Sequence, residues 1–164
     1  MKDIMNLTKK VALGVAVGFF SNFAFAQTLQ EGVANADSHK YAKAKTVFNE
    51  MIAKSPSAEN YFYLGNSYLT QFEPNFELAQ ENFNKGLAAD KKSYLNKIGL
   101  ASVKLGKGDK SAIGEIQNIV KDSRDKDPEV LYRAAEALTI FGGAANADLA
   151  IDLLNRAVEK SQKG

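Results

Sequence analysis

A small residue followed four positions later by a large apolar one recurs four times along this 164-residue chain, at nearly constant intervals. The pairs are Ala44/Phe48, Ala79/Phe83, Ala112/Ile116 and Ala150/Leu154, and the alanines stand 35, 33 and 38 residues apart. A helical turn is 3.6 residues, so both members of each pair share one face of a helix. A second element precedes each pair. Its small residues, Gly32, Gly65, Gly99 and Ala135, are spaced by 33, 34 and 36 residues, and Tyr61, Leu95 and Leu131 stand four places before the last three. The small residue lets two helices approach closely, and the bulky one fills the gap beside them. One such unit cannot bury its own apolar face, so a core forms only when neighbours stack.

The pattern resembles the tetratricopeptide repeat family, whose unit is a pair of antiparallel helices. The second copy carries the resemblance best, with Tyr61, Leu64, Gly65, Tyr68, Ala79 and Phe83 in the family's positions, and Pro56 closes the first copy as expected. Three departures stand out: Gly86 replaces a usual alanine, Asp90-Lys91 lacks the terminal proline, and the first copy has no aromatic at its start. The resemblance spans 28–160. It implies an all-α fold, an α-solenoid of about four antiparallel helix pairs wound into a right-handed superhelix. The first helix of each pair would line its concave groove.

Helices are expected over 28–37, 41–54, 58–71, 76–89, 92–105, 109–122, 128–141 and 147–160. They group into repeats at about 28–56, 57–91, 92–126 and 127–161 within a domain covering 27–164. Breakers fall between them: Ser55-Pro56, Pro74-Asn75, Gly106-Lys107-Gly108-Asp109, Asp127-Pro128 and Gly142-Gly143. The last helix still presents apolar Leu153, Leu154, Ala157 and Val158. Either it caps itself, or further repeats or a partner cover it.

Residues 1–26 read differently. Lys9 and Lys10 precede the apolar run 11–20, and Ala24-Phe25-Ala26 places small residues at the −3 and −1 positions before Gln27. That order marks a Sec-type signal peptide cleaved between Ala26 and Gln27, and the run is short of the roughly 20 apolar residues that span a bilayer. The mature protein is therefore expected in the bacterial periplasm or otherwise outside the cytoplasm, with no stable membrane span. The leader also carries the whole charge excess. Without Lys2, Lys9, Lys10 and Asp3, the remainder holds 18 basic and 18 acidic residues. A neutral chain argues against a nucleic-acid partner, which selects a concentrated basic surface.

No catalytic, cofactor or metal signature emerges. The chain has no Cys and one His, His39, which is expected as a solvated turn residue. Gly106-Lys107 is followed by Gly108 where a phosphate loop requires Ser or Thr. Asp122, Asp125 and Asp127 miss calcium-loop spacing, because Arg124 occupies the third place. These acids are expected instead to face water and to cap the helix starting near Pro128.

Tyr61 and Tyr68 share a face with Leu64 and are expected in the core. The family's groove positions fall on Phe62, Asn66 and Leu69, then Asn96, Leu100 and Val103, then Tyr132, Glu136 and Ile140. A carboxylate clamp of the kind some members use is only partly present: Asn66 and Arg133 suit it, whereas Phe62, Lys97 and Glu129 do not. The expectation is a non-enzymatic envelope scaffold binding a protein or peptide partner in its groove. The alternative is a glycan- or cell-wall-binding component of an outer-membrane complex, with Phe62, Tyr63 and Tyr132 as stacking platforms.

Overall fold

The computed structural model describes residues 28–124 and 126–162, and among these every regular element is helical. The leader expected over 1–26 and its cleavage site at Ala26 and Gln27 lie outside the described residues. The elements are α1 (28–37), α2 (Tyr41–Lys54), α3 (Ala58–Leu69), α4 (Phe76–Ala89), α5 (Tyr94–Gly106), α6 (Ala112–Asp122), α7 (Pro128–Ala137) and α8 (Ala147–Ser161). From α2 to α8 each helix packs on the next, and α5 also packs on both α3 and α7. No described helix is long and apolar enough to cross a membrane.

Local chemistry sets the boundaries. Ser57 accepts a hydrogen bond from Asn60 N–H and Asn75 one from Leu78 N–H, each capping free donors at a helix start. Asp127 does the same for Glu129 N–H, with Pro128 in the first turn. His39 and Arg124 adopt the left-handed conformation, both at φ 58°, where the chain leaves α1 and α6. The expected last turn of α7 is altered: residues Leu138–Gly142 form a π-type turn instead of continuing the α-helix. That wider turn leaves Ile140 half exposed and sets Phe141 against Phe76, their ring centroids 6.1 Å apart.

Two fully buried phenylalanines pin the first three pairs together. The Phe48 ring occupies the space a side chain at Gly32 would need, and it stacks on Tyr63 at 5.6 Å. Phe83 is held from two sides. A methyl group at Gly65 would lie 2.7 Å from its ring, and one at Gly99 would lie 2.5 Å from it. In the third pair Ile116 is equally buried. In the fourth the spacing changes: Leu153 is buried, while Leu154, expected as the partner of Ala150, is 37% exposed. With Ile151 and Val158 it forms an apolar stripe on the outer side of α8.

The second and third pairs are not related by the spacing the glycines suggest. Buried Asn60, Phe62 and Leu69 of α3 recur as buried Asn96, Ile98 and Leu105 of α5, an interval of 36 residues where Gly65 to Gly99 is 34. Two residues are about 200° of rotation on a helix. The anchor is Asn96, whose amide donates to Ala58 O at 2.8 Å and to Ser93 Oγ at 2.9 Å. It fits only because Gly86 leaves its space open. The sequence departure at Gly86 is thus matched to Asn96 on the following helix.

The Phe83 interlock predicts strong coupling. Gly99→Ala should destabilise the protein by about 1–2 kcal/mol, overpacking outweighing the better helix propensity of alanine. In a Phe83→Leu background the same change should become neutral or stabilising. Urea denaturation of the four proteins measures this, and an unchanged effect of Gly99→Ala in both backgrounds would refute the interlock.

Candidate functional site

The inner side of the stack is partly closed by its own residues. Where α5 turns Gly99 and Ser102 inward, α7 comes close enough to bond to α3. Tyr63 donates its hydroxyl to Glu129 Oε1 at 3.2 Å, and Asn66 donates its amide to Glu136 Oε2 at 3.3 Å. Between them lies Arg133, its side chain 7% exposed. Its Nε donates to Glu129 Oε1 at 2.8 Å and its Nη1 to both Glu136 oxygens at 3.1 Å. The guanidinium also sits 4.8 Å from the Tyr132 ring centroid, 5.6 Å from Tyr63 and 5.8 Å from Phe62.

Helical spacing brings this cluster together, since Glu129 and Glu136 stand four before and three after Arg133. Burial opposes the charge on Arg133, but Glu136 and Glu129 outweigh it and hold the guanidinium pKa above its ordinary value. Burial, then Glu129, pushes the Tyr63 phenol up, and burial, then Glu136, raises Tyr132. Both phenols therefore remain donors at any physiological pH. The slot left between α3, α5 and α7 measures about 10 Å³, no more than one water needs.

A usable cleft opens beside this plug, about 290 Å³ in volume, among α1, α3 and α7. Val33 and Asp37 come from α1, Asn66 from α3 and Thr70 from the cap at its end, and Tyr132, Glu136 and Ile140 from the α7 segment. His39 and Tyr41 also line it. His39 is exposed, as the sequence suggests, with its Nδ1 3.0 Å from the Tyr41 hydroxyl, which donates to Thr70 O at 2.8 Å. This relay ties the α1–α2 turn to the end of α3.

The nine groove positions separate into three groups. Asn66, Tyr132, Glu136 and Ile140 line the cleft together. Phe62, Leu69, Asn96 and Val103 are buried, at 1%, 2%, 0% and 3% exposure. Phe62, expected to turn toward the groove, packs against Phe83 instead, ring centroids 5.8 Å apart, while Tyr61 and Tyr68, expected in the core, are only half-buried. Leu100 belongs to neither group. The roll of α5 carries it to the opposite side, between α4 and α6. The clamp position Arg133 is consumed by Glu129 and Glu136. The repeat signature does not place Val33, Asp37, His39 and Tyr41 in a cleft, because it does not say that α7 reaches the first pair. Among the described residues no group of three or more His, Cys, Asp or Glu could hold a metal ion.

No protein-family model matches the chain, and no curated protein is significantly similar to it. Its fold does match solved structures. A crystal structure of MamA, a tetratricopeptide-repeat protein, aligns with a TM-score of 0.50 at 18% identity, covering 85% of this chain and 79% of that one. A second MamA crystal structure aligns with the same score and identity, covering 85% and 74%. The fold is a tetratricopeptide-like helical solenoid.

Arg133→Met should cost about 3 kcal/mol by leaving Glu129 and Glu136 unpaired. Adding Glu129→Gln and Glu136→Gln should recover most of that loss in denaturant titrations; no recovery would mean the arginine acts through packing alone. Glu59, at the start of α3, has its pKa raised by burial, then by Glu129 and Asp127. An acid raised in the folded state is favoured when protonated, so its ionised form weakens the fold above that pKa and the penalty fades as pH falls through it. Glu59→Gln should therefore raise Tm at pH 7, and the gain should vanish below about pH 4. A gain independent of pH would refute the assignment.

Proposed function

We propose that this protein is a non-catalytic scaffold that holds a segment of another protein in the cleft among α1, α3 and α7. The observation that carries this reading is the composition of the cleft. Exposed Tyr132 and Ile140 offer apolar contact, Asn66 and Thr70 offer polar groups, and the plug behind them is centred on a buried, internally paired Arg133. Its volume accommodates one or two side chains of a partner rather than a whole helix. The charge is net acidic, with Asp37 and Glu136 against Arg133. The favoured anchor is accordingly a basic or aromatic side chain from a peptide partner.

The tetratricopeptide-like fold supports protein binding by analogy. Export to the periplasm is part of the same proposal, supported by the ordered leader in 1–26. The glycan-binding alternative draws on stacking platforms, and of Phe62, Tyr63 and Tyr132 only Tyr132 is exposed. A single exposed ring favours a peptide anchor over a sugar-binding platform.

Tyr132→Ala and Asp37→Lys should each weaken retention of a partner from an envelope extract about tenfold while leaving Tm within a degree or so. Co-sedimentation with purified cell-wall sacculi should not change. Loss of sacculus binding with unchanged protein retention would replace this reading with the glycan one. N-terminal sequencing of the protein from fractionated cells should begin at Gln27 in the periplasmic fraction; an intact Met1 in the cytoplasm would refute export.

A further inference from the structure

The roll of α5 creates a second concavity on the outer side. It measures about 510 Å³ and runs between α4 and α6, with α5 as its floor. Leu100 forms the apolar centre, and Ile119 of α6 extends it along one wall. Lys97, Lys104 and Lys107 lie along the same side of α5, at intervals of seven and three residues. Asn84 of α4 and Asn118 of α6 present exposed amides from the two walls.

The charge of this groove is one-sided. Three lysines line it against the single carboxylate Glu115. Lys104 bonds Glu115 at 2.8 Å, and Lys107 lies 3.3 Å from Glu77, but all four side chains are at least 42% exposed. Such pairs contribute little to stability, so a partner's carboxylates can take their place at small cost. The Lys97 ammonium lies 5.1 Å over the Tyr94 ring.

We infer that this outer groove binds an acidic segment of a partner protein, placing an aliphatic side chain over Leu100 and Ile119 and carboxylates against Lys97 and Lys104. The wall amides of Asn84 and Asn118 are placed to bond the segment's backbone or polar side chains. The apolar floor separates this occupant from nucleic acid. None of the lining residues is aromatic, so bases would have no ring to stack on. The inference is independent of the inner cleft, whose charge is of opposite sign.

A fluorescein-labelled peptide with two leucines one helical turn apart, flanked by glutamates, tests this against the full chain by anisotropy. A twin with lysine in place of each glutamate serves as the control. The acidic peptide should bind with Kd in the range of about 10–100 μM at low salt, and more weakly as salt rises. Lys97→Glu with Lys104→Glu should weaken it about tenfold or more, and Leu100→Ser should do so through the apolar contact alone. Tyr132→Ala, in the inner cleft, should leave it unchanged. Circular dichroism melts confirm that each variant is folded, and Lys97→Gln with Lys104→Gln replaces the charge reversal if that variant is not. Equal binding of the lysine twin, unchanged affinity in the lysine variants, tighter binding of single-stranded oligothymidylate, or no binding near 100 μM would each overturn the inference.

Discussion

The packing of a benzyl ring into a helix that lacks a β-carbon is the interaction on which the rest of this structure depends. Phe83 reaches zero exposure because both α3 and α5 present glycine to it. Burying a phenylalanine side chain contributes about 1.5–3 kcal/mol, but only if both neighbours come within contact distance. Phe48 repeats the arrangement with Gly32 and then stacks on Tyr63, so α1 is joined to α3 through one ring. Neither helix pair could exclude water from its aromatic alone. The consequence is a chain of dependence, in which each pair becomes stable only as the next one docks.

Close approach on one side of the helices brings about the second feature, the plug at Arg133. A guanidinium removed from water is costly unless its donors are used. Here the fork is met by Glu129 and Glu136, and its faces by three aromatic rings. This network joins α7 to α3 across the inner face and divides what would be one continuous groove. What remains open is a cleft shared with the first helix pair.

Residues 27–164 are neutral in sum, yet their two concavities are of opposite sign. Asp37 and Glu136 face the inner cleft, while Lys97, Lys104 and Lys107 face the outer groove. A net charge of zero thus conceals a separation that only the placement of side chains produces.

The sequence by itself determined the helices and their pairing. Small-to-large spacing and breaker residues place the eight helices within three residues of their observed ends, except that α7 stops at Ala137, four short of its expected end; both signals act locally. Asp127, one of the acids expected to cap the helix near Pro128, caps it as side-chain chemistry suggests. Tertiary structure alone decided which side each helix turns inward. Gly65 and Gly99 look equivalent in sequence, but the buried amide of Asn96, fitted into the gap at Gly86, rolls α5 by about two residues and sends Leu100 outward. The reach of α7 to α3 likewise rests on hydrogen bonds between residues 66 and 70 positions apart, which a repeat signature does not encode. Periodicity specifies a face only relative to its own helix. The orientation of that face in the stack is set by whichever neighbour buries the least replaceable group, here an asparagine amide.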